Sequence, residues 1–190
     1  MHESEPLTCS ERKTLLAIAR ASLESHVKNG ARPDTGHLDL TAALQEARGA
    51  FVTLTIRGRL RGCIGYVEPI KPLWEAVVEN AANAALRDPR FGSVTPGELS
   101  SIQIEISAMS PLRPVTDHSH IEVGRHGIML TCGISHGLLL PQVAVEYDWD
   151  SAEFLAHTCR KAGLPDDAWK DSGAIIEVFS AEVFAGSYAP

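Results

Sequence analysis

Between Val52 and Gly65 two runs of alternating residues flank one glycine-centred turn, and no other stretch restricts the fold as much. Val52, Leu54 and Ile56 alternate with Thr53, Thr55 and Arg57, the period-two pattern of a strand with one buried face. Arg57-Gly58-Arg59 supplies a turn whose glycine can take positive φ. Leu60 to Gly65 then returns as the second strand of a hairpin.

Helices are expected on both sides of this hairpin. Thr8 followed by Glu11 fits a capping box, and Leu15, Leu16, Ala19, Leu23 and Val27 form one apolar stripe that ends at Gly30 and Pro33. Leu73 to Leu86 is rich in alanine, carries its own stripe and is stopped by Asp88-Pro89. Thr95 to Leu99 reads as a short turn or helix. Ile102, Ile104, Ile106 and Ala108 then alternate as a half-buried strand.

Pro111 to Ile121 reads as loop, and Ile121 to Cys132 and Leu138 to Leu140 as strands around Gly133 to Gly137. A helix from about Ser151 to Ala162 with Gly163 beyond it, and a last strand from Ile175 to Phe184, complete the pattern. Neither a repeat nor a linker interrupts it. The expectation is one α+β domain over residues 8–190 with a tail over 1–7, its antiparallel sheets flanked by helices.

With 44% hydrophobic and 22% charged residues, the chain can bury a proper interior. A net charge of −7 argues against nucleic acid as a partner, since the longest basic cluster, Arg57 to Arg61, is interrupted by Gly58 and Leu60. The acidic start and the lack of a long apolar run argue against a leader peptide and against the membrane, and point to the cytoplasm. Four cysteines, at 9, 63, 132 and 159, have no C-x-x-C spacing and read as reduced thiols.

The candidate chemistry centres on Leu60-Arg61-Gly62-Cys63-Ile64-Gly65. In a regular strand Leu60, Gly62 and Ile64 share one face, and Arg59, Arg61 and Cys63 the other. Guanidinium groups beside Cys63 would favour its thiolate. The amides of Gly62, Cys63 and Gly65 could cradle an anion or a developing oxyanion, although a bulge at Gly62 would break the alternation. The competing reading is a small buried cysteine in a glycine-rich strand, which on these residues alone carries more weight.

Asp88-Pro89-Arg90-Phe91 could pair to fix a helix exit or hold a polar ligand. Leu140 to Ala144 reads as a strand end held by proline, with an exposed Gln142 favouring binding. His118, His120, His126 and His136 with Cys132 invite a metal reading, but their spacing matches no standard site, and solvated loop histidines are the simpler account except at His126. No metal site and no cofactor are expected: the glycine-rich phosphate and dinucleotide signatures are absent. Trp74, Trp149 and Trp169 read as core anchors.

Arg48 to Leu54, Leu60 to Gly65, Asp88-x-Arg90-Phe91, His126-Gly127-Ile128, Leu140 to Ala144 with Trp149, and Lys161 to Leu164 together resemble the AMMECR-domain family, also named AmmeMemoRadiSam system protein A. The resemblance runs from about residue 10 to the last strand. One departure is Gly92-Ser93, where family members often carry prolines. The resemblance implies a larger lobe made by both termini and a smaller one, and raises Cys63 to a candidate catalytic residue. Arg61, Gly62, Gly65, Asp88, Arg90, His126 and Gln142 become candidate binding residues.

The family name implies partners, a Memo-like protein and a radical SAM protein, in a modification pathway. Three functions follow. The chain is a noncatalytic binding or scaffold component, a thiol-dependent enzyme using Cys63 on a small-molecule or protein substrate, or a metal-binding protein using Cys63 or Cys132 with His126. The lack of a recognisable acid, base and nucleophile set favours the first.

Overall fold

A computed structural model describes residues 6–34 and 40–186. It opens with α1 (Cys9–Asn29), α2 (Ala42–Gln45), β1 (Ala50–Ile56), β2 (Arg59–Tyr66), α3 (Leu73–Leu86) and, after a 3-10 helix at Pro96–Ser101, β3 (Ile102–Met109). Next come β4 (Arg113–Pro114), β5 (Gly127–Cys132), β6 (Ser135–Leu139), α4 (Pro141–Glu146) and α5 (Ser151–Lys161). The last strands are β7 (Ala174–Phe179) and β8 (Ala181–Gly186). The fold is α+β and forms two units. The larger takes both ends of the chain, up to Met109 and again from Glu182; the smaller runs Ser110–Ala181.

In the larger unit the strand order is β2-β1-β3-β8, with β1 antiparallel to both β2 and β3. Val52, Leu54, Ile104 and Ile106 share one buried core with Leu15, Ile18 and Leu23 of α1 and with Leu73, Val77, Ala81 and Ala84 of α3. Each fully buried leucine contributes about 1.5–3 kcal/mol. α1 starts as its sequence predicts. Thr8 Oγ1 accepts from the Glu11 N–H (3.2 Å), while Glu11 Oε2 accepts from the Thr8 N–H (2.7 Å). It ends at Gly30, whose φ of 66° an L side chain would resist. Two buried bonds tie the helices in: Ser22 Oγ donates to Val78 O (2.6 Å) and Asn80 Nδ2 to Ala50 O (2.9 Å).

Residues 1–5 of the expected tail lie outside the described residues; Leu7 is buried, and its N–H donates to the Glu182 carboxylate (3.0 and 3.2 Å). The first sheet's unit is thus joined at both ends.

The smaller unit has strand order β4-β7-β5-β6. Ile128, Ala144, Phe154, Leu155 and Val178 form its core, against which Trp149 and Trp169 pack. Trp74 packs on the core of the larger unit. α5 is N-capped by Asp150 in a capping box with Glu153, and Gly163 follows it at φ 74°.

Several expected boundaries differ: β4 lies within the stretch read as loop, β6 begins at Ser135 rather than Leu138, and three other elements change further. The strand predicted from Ile121 starts only at Gly127, because 122–125 turn through Gly124 at φ 87°. Pro141 does not hold a strand end; it is the first residue of α4, where its missing N–H would have no helical partner anyway. The strand expected over Ile175–Phe184 is two strands in two sheets, divided at Ser180.

Candidate functional site

The hairpin turns through Arg57 and Gly58, both at positive φ (52° and 73°), the geometry of a two-residue hairpin loop. Pairing then slips once. Leu54 faces Gly62 while Thr55 faces Leu60, so Arg61 is the extra residue of a bulge. The slip lies one residue before the Gly62 position considered above, and it redistributes the faces. Gly62 and Ile64 stay on the core face with Leu54 and Val52. Cys63 and Leu60 lie with Thr53 and Thr55, and Arg61 leaves the alternation.

The two glycines serve close packing. A Cβ on Gly62 would stand 2.1 Å from Ala84 O of α3, and one on Gly65 would stand 2.4 Å from Ala50 O. No side chain fits at either position without backbone movement.

β2 is an edge strand, and Cys63, opposite Thr53, turns its peptide groups outward. The Cys63 N–H donates to Asp88 Oδ2 (2.8 Å), and Cys63 O accepts from Arg90 Nη2 (3.2 Å). Arg90 also grips the same carboxylate, Nε to Oδ1 at 3.0 Å and Nη2 to Oδ2 at 2.7 Å, while its own N–H donates to Oδ1 (3.1 Å). Asp88 and Arg90 therefore stand in for a neighbouring strand over one residue. Asp88 is only 4% exposed, and the Arg90 guanidinium, followed by the Cys63 amide, holds its carboxyl well below the usual carboxylate range. The anion that the hexapeptide amides could have cradled is, at Cys63, a carboxylate of the chain itself.

Arg61 is engaged elsewhere. Nε and Nη2 fork onto Glu98 (2.8 and 3.2 Å), and Nη1 and Nη2 donate to Gly92 O and Ser93 O (2.8 and 3.1 Å). Arg61, with the Thr95 N–H second, draws the Glu98 carboxyl down to about 2. The half-buried Cys63 thiol accepts from Thr53 Oγ1 (3.3 Å). The larger unit thus brings Cys63, Asp88 and Arg90 into one bonded group and directs Arg61 away from it. Sequence reasoning passed over Glu98 and Thr53. The Thr95-x-x-Glu98 spacing is a capping-box signal, and Thr53 follows from hairpin register.

His126 and Gln142 belong to the smaller unit. His126 is 4% exposed and closes a turn. Its Nδ1 accepts from the Glu122 N–H (3.1 Å), which places a neutral ring's proton on Nε2, and its own N–H donates to Glu122 O (2.9 Å). Gln142 is exposed in the first turn of α4. His118 and His120 lie on an exposed 3-10 turn, and the His118 ring meets Trp169 edge-on at 4.9 Å. Among the described residues no group of three or more His, Cys, Asp or Glu is placed to hold a metal ion. Cys9, Cys63, Cys132 and Cys159 are all free thiols, and no helix among the described residues is long and apolar enough to cross a membrane.

Comparison with known proteins matches the AMMECR1 family model over residues 16–184. A protein of Methanothermobacter thermautotrophicus is 45% identical over 188 residues, covering 94% of this chain and 96% of its own. One of Methanopyrus kandleri is 45% identical over 189 residues, covering 95% and 90%. The crystal structure of an uncharacterised protein from Pyrococcus horikoshii superposes with a TM-score of 0.67 at 40% identity, over 92% of this chain and 90% of that one. The hexapeptide and its Asp-x-Arg clamp lie inside this span: the chain belongs to the AMMECR1 family.

Proposed function

We propose that the chain is a binding or scaffold component of a modification pathway, with a Memo-like protein and a radical SAM protein as partners, and that the edge of β2 around Cys63 is the surface it offers. The observation carrying this reading is the engagement of the hexapeptide's polar groups within the chain. Asp88 and Arg90 fix the Cys63 peptide, and Glu98 takes Arg61. A frame held on both sides presents a fixed shape, which lowers the ordering cost of association. A thiol-dependent enzyme is the second reading, favoured by the Thr53 hydroxyl, which donates to the half-buried Cys63 sulfur and fixes its position.

Capture of the purified Memo-like and radical SAM partners by wild type, Leu60→Ala and Arg90→Ala tests the first reading. Both side chains are exposed, so these variants should fold. At least a tenfold loss in capture by either is expected. Undiminished capture by both would sink the surface. Iodoacetamide reacting with Cys63 faster than with an unstructured cysteine peptide would move the case to the enzyme.

A further inference from the structure

The basic run from Arg57 to Arg61 lines one open groove of about 710 Å³, walled by Ile56 and Leu60 on the hairpin and by Gly97, Glu98 and Ser101 of the 3-10 segment. Its charges do not cancel. Glu98 is the groove's one carboxylate among the described residues, and it is forked by Arg61 and also bonded by Thr95 N–H and Oγ1 (2.8 and 2.9 Å). Arg57 and Arg59 are exposed, and among the described residues neither is paired with a carboxylate. That leaves two uncompensated guanidinium groups at one mouth, in a chain whose net charge is −7.

Arg57 adds a second observation. It occupies the left-handed region at φ 52°, where glycine or asparagine would sit without side-chain strain. The turn holds a guanidinium there against local preference, next to a second one two residues on.

We propose that this groove binds a phosphomonoester. Such a group carries about −1.5 to −2 charge at neutral pH, matching the two free guanidinium groups, whose planar forks suit its oxygens. Ser101 offers a hydroxyl on the 3-10 wall, and Leu60, 42% exposed, offers an apolar surface for the carbon part of the ligand. The groove shares Leu60 with the proposed partner surface, but phosphate binding is assayed with this chain alone, so either reading can fail without the other.

Titration calorimetry at low salt, with inorganic phosphate and with glycerol 3-phosphate as probes, tests it. Saturable binding is expected. Arg57→Gly and Arg59→Gln should each weaken it at least tenfold, and the double variant should abolish it. Arg57→Gly relieves the strained turn, so its thermal midpoint should hold or rise while affinity falls, which separates a lost ligand contact from a damaged fold. Equal binding by the double variant, no binding of either probe at millimolar concentration, or capture of an acidic peptide without phosphate binding would each overturn the proposal.

Discussion

The two ends of β2 carry similar residues and treat them in opposite ways. At the Cys63 end, arginine, aspartate and backbone form a closed set of bonds in which the N–H and the C=O of one residue are both held. At the hairpin tip, Arg57 and Arg59 point into an open groove whose single acid is already claimed. Arg57 and Arg59, four and two positions before Arg61, therefore play a part unlike its own. What separates them is where the carboxylates fall: Asp88 follows α3 and Glu98 opens the 3-10 helix, both far along the chain from the strand they serve.

Substitutions that close or open each end probe this contrast. Gly62→Ala should have the largest effect, about 3 kcal/mol or more in urea unfolding, because its methyl would meet the Ala84 carbonyl, which α3 cannot move cheaply. A loss below about 1 kcal/mol would mean that α3 yields and that the closed end is looser than described.

Asp88→Asn should come next, and its effect should depend on pH. The aspartate is depressed in the folded state, so its charge stabilises the fold fully at pH values above the ordinary 3.8. That stability is lost as pH falls below this value and the folded carboxylate takes up its proton. The gap in unfolding free energy between wild type and Asp88→Asn should be constant from neutral pH to about pH 5 and narrow below 3.8. A gap that ignores acid would dissolve the charged clamp. At the open end, Arg57→Gly should change stability least, between zero and about 1 kcal/mol in the stabilising direction. A clear loss would show that the tip, too, is tied into the fold.

Much of the architecture is legible in local pattern. The capping box at Thr8, the hairpin turn, the alanine-rich α3 and the alternation of β3 each carry their own signal within a few residues. What escaped depends on remote partners. Ser180 divides β7 from β8 because its N–H donates to Ser110 Oγ (2.9 Å) and its carbonyl accepts from the Ser110 N–H (2.8 Å), a pairing across 70 residues with no local trace. The bulge at Arg61 likewise belongs with Glu98, 37 positions on. The Cys63 site was half legible. Its strand follows from the alternation and its Asp-x-Arg element from the family resemblance, but not that the two meet or that the pair binds backbone. The proline of α4 was a signal present and misread: at a helix's first position it starts the helix, yet after an apolar run it resembles a strand's end.

The larger unit draws its edge strand β8 and the Glu182 carboxylate that holds Leu7 from the last stretch of the chain. On the ribosome this imposes an order. The segment Ser110–Ala181 has all its strands in hand before the other unit does, although the latter began first. For that interval α1 and the β1–β2 hairpin wait with one sheet edge unclaimed. That is the stage at which the larger unit's sheet lacks the neighbour of β3, and it passes when β8 emerges.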